Sequence, residues 1–102
     1  MTEYELYVPL HHNDGRPVEL DKLGRLKRRL VEQFGGLTHF PQENEGLWKV
    51  GKFTFRDRIV IFRVLAADRT KAEQFLRQLK DDLKAEWEQN DVLIVAREVS
   101  TV

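Results

Sequence analysis

An α+β fold, one four-stranded antiparallel sheet with two helices on a single face, is what this sequence of 102 residues predicts. Two observations carry the prediction. Four stretches are rich in β-branched and aromatic residues, while two others repeat apolar residues every three or four positions. They follow one another as strand, helix, strand, strand, helix, strand, an order that right-handed crossovers fold into two interlocked β-α-β units.

In YELYVPL (4–10), Tyr4, Leu6, Val8 and Leu10 alternate with Glu5, Tyr7 and Pro9, marking a strand with one buried face. HHNDGRP then breaks the pattern with the turn residues Asn13, Asp14 and Gly15. From Glu19 to Phe34, Leu20, Leu23, Leu26, Leu30, Val31 and Phe34 form the stripe of an amphipathic helix, which Gly35 and Gly36 end. Leu37 to Pro41 is the next strand, and Pro41, which lacks a ladder donor, should put it at a sheet edge or end its pairing there. Residues 42–46 read as a loop or bulge before Leu47 to Val50, and Gly51 and Lys52 offer a tight turn into the long strand from Phe53 to Leu65. Thr70 and Glu73 have capping-box spacing for a second helix, with Ala72, Phe75, Leu76, Leu79, Leu83 and Trp87 as its stripe. Asn90 and Asp91 close that helix, and Val92 to Val99 is the last strand. The whole is one ferredoxin-like βαββαβ domain spanning residues 1–102, with the first strand between the third and the fourth.

Lysine plus arginine and aspartate plus glutamate each number 17, so the formal net charge is zero. Proteins that grip nucleic acid or anionic membranes carry a basic excess, and this balance argues against both. VGKFTF (50–55) has a superficial likeness to an RNA-binding strand signature, yet a lysine separates its glycine from the first aromatic residue. The chain has no cysteine, which excludes disulfides, thiolate metal sites and a cysteine nucleophile. No apolar run approaches the ~18 residues of a membrane span, and the acidic start MTEYELYVPL lacks a signal peptide's charge. A soluble, cytoplasmic protein is the expectation, with neither cofactor nor metal.

Strand pairing can be counted from residue numbers. Setting His11 beside Asp57 and Asp91 places Glu5 next to both Arg63 and Arg97, opposite the face of Leu6, Val8, Val60, Phe62 and Val64 that the helices cover. The uncovered face also carries Tyr7, Ile59, Ile61, Leu65, Leu93, Val95 and Val99. Each forgoes roughly 1.5–3 kcal/mol if left in water, so a bare face would sacrifice on the order of 10 kcal/mol, comparable to a domain's net stability. A second copy of the same face is the simplest cover, and a homodimer is expected.

Glu5, Arg63 and Arg97 form the most specific constellation, because two guanidinium groups around one carboxylate leave positive charge to hold a small anion. The plainer reading is an ion-pair cluster that sets dimer register. Tyr7 and Ile61 share the face, and Trp48 is a further ligand or interface candidate, although packing across the hairpin against Phe55 explains it as well. His11, His12 and Asp57 invite a metal or proton-transfer reading. Adjacent histidines on an extended segment point to opposite sides, so solvated loop histidines are the plainer account. His39 stands alone on a strand, and the basic run Lys27, Arg28 and Arg29 reads as a solvated helix face. Ser100 is the only serine, which excludes a serine triad.

Asp14, Gly15 and Val18 after the first strand, then Phe34, the GGLT of Gly35 to Thr38, the Gly46, Leu47, Trp48 triplet and Asp57 before an apolar strand resemble a family of short bacterial proteins grouped as a domain of unknown function. The likeness covers most of the chain and rests on a loose motif. That family usually has glutamate where Asp57 stands and often a serine shortly after, where this chain has Arg58 and Ile59. The resemblance implies a ferredoxin-like fold and a bacterial origin, and it carries over no catalytic residue.

From these residues the function expected is that of a non-enzymatic homodimeric module, binding a small anionic ligand or a protein partner through the open sheet face. The alternative is a small enzyme of the dimeric α+β barrel type, working in a pocket between sheet and helices with His11, His12, Arg63 or Tyr7 as acid, base or anion clamp.

Overall fold

A computed structural model of the chain describes residues 1–89 and 91–102. The alternation begins earlier than the sequence suggests, at β1 (Thr2–Pro9), and is followed by α1 (Leu20–Phe34), β2 (Thr38–Val50), β3 (Phe53–Ala66), α2 (Arg69–Glu86) and β4 (Ile94–Glu98). The four strands form one antiparallel sheet in the order β2-β3-β1-β4. This is the expected ferredoxin-like arrangement, with β1 central and the proline-bearing β2 at an edge.

Both helices cover the face that carries Tyr4, Leu6, Val8, Val60, Phe62 and Val64, all buried. Leu26 and Leu30 of α1 and Ala72, Leu76, Leu79 and Leu83 of α2 complete the core. An edge-on contact of Phe34 with Phe75 (5.6 Å between centroids) and an ion pair of Arg29 with Asp82 (3.0 Å) join the helices to each other. Leu20 and Val31, placed on the buried stripe by spacing, are exposed, because the sheet reaches only the Leu23, Leu26 and Leu30 side of α1.

Several local expectations need correction. Of the loop or bulge expected at residues 42–46 the structure has the bulge, not the loop: β2 runs through them, and an irregularity between Phe40 and Asn44 absorbs Pro41 within the β2–β3 ladder. Helix α2 begins with Asp68, whose carboxylate accepts from the Lys71 N–H at 3.0 Å; a cap two residues upstream of Thr70 lets Arg69 and Thr70 join the first turn. It ends at Glu86, with the Trp87 N–H donating to Leu83 O, so Asp91 lies beyond the helix; Asn90 is outside the described residues. Val92 is buried before β4 starts at Ile94, and the last strand is correspondingly shorter than its sequence pattern.

Beyond the helices, β2 and β3 continue as a hairpin arm to the two-residue turn at Gly51, whose φ of 60° suits glycine, and Lys52. The arm's side chains are largely exposed and stretch the molecule to 42 Å along its longest axis.

Candidate functional site

The uncovered sheet face is organised by its ladders. Glu5 sits opposite Arg63, as counted from the sequence, and Arg63 Nη2 donates to Glu5 Oε1 at 2.7 Å. Arg97 departs from the expectation: it pairs with Glu3, while Glu5 faces Val95. Counting β4 from Asp91 ignored the residues between helix and strand, and the two-residue slip keeps Arg97 on the same face while changing its partner.

Arg97 Nη2 donates to Glu3 Oε2 at 2.6 Å, and Arg63 Nε also pairs with Glu3, so the centre is a quartet of two acids and two bases. Glu3 was missed because the strand was started at Tyr4, although the same alternation that places Glu5 and Tyr7 extends to it. The Arg97 hydrogen bond, reinforced by the Arg63 charge, holds its carboxyl below the ordinary carboxylate value despite burial. Phe40 lies under the Arg63 guanidinium, 4.8 Å from ring centroid to Cζ. With two charges of each sign paired in place, the quartet has no surplus positive charge for an anion, contrary to the three-residue reading.

Tyr7 and Ile61 are directly opposed and half-buried on this face, beside the exposed Val95 and Leu65. Farther along, the Leu10 N–H donates to Arg58 O at 3.0 Å, carrying the β1–β3 register onward and setting His11 beside Asp57. Asp57 is half-buried and, among the described residues, makes no hydrogen bond or ion pair. The other carboxylates that are not fully exposed, on Glu3, Glu5, Glu73 and Asp82, all have hydrogen-bonded partners. Desolvation pushes the Asp57 carboxyl above its ordinary 3.8, with His11 partly opposing the rise.

A pH dependence of known sign follows. The unfolded chain ionises Asp57 near 3.8 and the folded chain only at higher pH, so this residue's contribution to stability is fullest below 3.8 and is lost as pH rises through the folded pKa. Asp57→Asn should remove that decline, leaving the variant more stable than the parent at neutral pH by urea denaturation. A variant that loses stability there contradicts this account.

His12 is not a solvated histidine. It is buried, its Nδ1 is 2.8 Å from the Trp87 carbonyl and its Nε2 3.4 Å from Glu19 Oε1, so it ties the first loop to the end of α2. That role removes it from the acid–base candidates, whereas His11 remains on the open face. Trp87 is core, as its stripe position implies. Trp48 does oppose Phe55 across the hairpin, but both rings are half exposed rather than packed inside.

On the helix side, a cleft of about 190 Å³ opens between α1 and the β2–β3 pair, lined by Leu10, Leu23, Lys27, His39, Pro41, Glu43, Val60 and Phe62. His39 opposes Phe62 in the ladder and meets its ring edge-on at 4.8 Å. Among the described residues the imidazole has no hydrogen-bond partner. Burial, then the nearby Lys27 charge, lowers its pKa from 6.5, so it is neutral and basic at pH 7. Lys27 has its ammonium 5.9 Å from the Phe62 centroid and no carboxylate partner among the described residues, while Glu43 is taken up by Arg58 at 3.0 Å.

Lys27 is therefore not part of a solvated basic face. Its spacing of four from Leu23 and three from Leu30 already put a cation inside an apolar stripe, the one available signal. A second groove, beside α2, has its polar groups engaged with one another: Tyr4 donates to Glu73 at 3.0 Å, and Arg69 donates to the same carboxylate at 2.7 Å.

Fold and cleft together define a small ferredoxin-like α+β protein with a cleft between sheet and helices that His39 and Lys27 both line. Neither a family model nor a curated protein matches the chain. Among solved structures it is similar to a phage SAM lyase in complex with S-methyl-5'-thioadenosine, at 10% identity and a TM-score of 0.66, over 95% of this chain and 80% of that one. The likeness is one of fold, and in that protein the fold is the body of an enzyme. The expectation of a non-enzymatic binding module is corrected accordingly. Among the described residues no three His, Cys, Asp or Glu side chains gather to hold a metal ion, and no helix is long and apolar enough to cross a membrane.

Proposed function

We propose that the chain is a small enzyme of the dimeric α+β barrel type, which removes a proton next to the carbonyl or carboxylate of a compact anionic substrate in the cleft between α1 and β2–β3. The observation that carries this reading is the pairing there of a neutral imidazole, His39, with an uncompensated ammonium, Lys27. His39 accepts the proton as the C–H bond breaks, and Lys27 stabilises the negative charge that develops on the substrate oxygen. A volume of about 190 Å³ is below the ~300–1,000 Å³ of drug-sized sites, which favours a substrate smaller than a nucleoside. An enzyme built on the same fold in the phage lyase supports the class of activity and does not specify the substrate.

The second half of the proposal is that two copies pair through the open face. Tyr7, Ile61, Leu65 and Val95 offer an apolar surface to it, and the internally neutralised quartet lets that surface be buried without an unpaired charge. Light scattering at micromolar concentration should report twice the 12.1 kDa chain mass; the monomer mass would remove the dimer. Amide shift mapping with acetate and pyruvate should move signals of Leu23, Lys27, His39 and Val60, and Lys27→Ala should weaken binding about tenfold. Shifts confined to the open face would overturn the cleft as the site.

A further inference from the structure

The geometry points to a second ligand site on the opposite side of the sheet, where Asp57 and Trp48 form a receptor for an organic cation such as a quaternary ammonium or sulfonium group. Gly46 lies between the two residues on the hairpin. It lies directly opposite Asp57, and a Cβ at this position would stand 3.4 Å from Cζ3 of Trp48 and 3.9 Å from its Cε3. The six-membered ring of the indole therefore lies over the glycine, next to the strand position of Asp57.

What results is a carboxylate beside an aromatic ring. The indole is about half exposed, so its outer surface is open to a ligand. Asp57 has no hydrogen-bonded or ion-paired partner among the described residues, although the arginines next to it in sequence, Arg56 and Arg58, are drawn to Glu45 and Glu43 on the other face of the arm. A negative charge without a hydrogen-bonded cation in a partly desolvated place, on the same face of the hairpin as a half-exposed tryptophan ring, is the chemistry that selects bulky, weakly hydrated cations over metal ions or lysine. His11, just beyond β1, and Ile59 of β3 bound the site, the imidazole being, among the described residues, the titratable group that acts on the carboxyl.

The site shares no residue with the cleft, so either can fail alone. Tetramethylammonium added to the 102-residue chain at pH 8 should quench tryptophan fluorescence saturably. Trp87 is buried, so the quenching reports Trp48. Choline should bind about tenfold more tightly than its uncharged isostere 3,3-dimethyl-1-butanol, a difference of about 1.4 kcal/mol. Asp57→Asn should abolish that preference, and Trp48→Leu, measured by calorimetry, should weaken choline binding severalfold with the fold intact by circular dichroism. Equal affinity for choline and the alcohol, or undiminished choline binding by Asp57→Asn, would overturn the proposal.

Discussion

Trp87→Ala is expected to cost about 3–5 kcal/mol of stability, a large share of the ~5–15 kcal/mol that holds a domain of this size together. The indole is the largest fully buried side chain, 1% exposed, and closes the core at the end of α2. Its backbone does as much as its ring. The Trp87 carbonyl accepts from His12 Nδ1 at 2.8 Å and from Gln89 Nε2 at 3.2 Å, and Gln89 also donates to His11 O at 2.6 Å. Removing the ring leaves a cavity next to the buried His12, which that carbonyl holds, so the first loop should loosen together with the helix end. Urea denaturation followed by circular dichroism measures the loss. A decrease below about 1 kcal/mol would mean that the site collapses freely around the missing ring.

His39→Ala should lower the rate of proton abstraction by about 10²–10⁴-fold, the usual contribution of a positioned general base. The assay is incorporation of solvent deuterium into the methyl group of pyruvate, next to its ketone, followed by proton NMR. Because burial and the Lys27 charge lower the His39 pKa, the rate should rise with pH to a plateau whose midpoint lies below 6.5. Lys27→Ala should raise KM as well as lower kcat, since the ammonium meets both the bound anion and the charge that develops on it. His39→Gln, similar in size and without a basic nitrogen, should be as inactive as His39→Ala. Exchange that persists within twofold in His39→Ala would remove the imidazole from the mechanism.

The strand that became the centre of the sheet was legible from its alternation, and so was the Glu5–Arg63 pair, because β1 and β3 face each other in a register that a single offset describes. Arg97 was misassigned for a physical reason: the offset between β1 and β4 depends on how many residues the chain spends leaving α2, and no periodic pattern records that. The buried His12 escaped notice on similar grounds. A histidine in a turn-rich segment looks solvated until a helix end, supplied 75 residues later, places a carbonyl 2.8 Å from its ring.

The candidate site divides in the same way. Asp57 and Trp48 were visible as unusual residues, but that one is, among the described residues, a half-buried acid with no hydrogen-bonded partner, and that the other's ring lies over Gly46, are consequences of cross-strand placement. His39 and Lys27 lie 12 residues apart in the sequence, on an edge strand and in the middle of a helix, and nothing local links them.

By itself the sequence determined the order of the elements, the core faces of the strands, most of the helix stripes and the surplus apolar face of the sheet, since periods of two and of 3.6 are written locally in which residues are apolar. Only the tertiary structure decided which charges meet, which histidine is locked into the core and which is left basic in a cleft. Those outcomes depend on ladder offsets and loop paths that join distant residues, and a pKa responds to the groups that surround a side chain in space rather than to its neighbours in the chain.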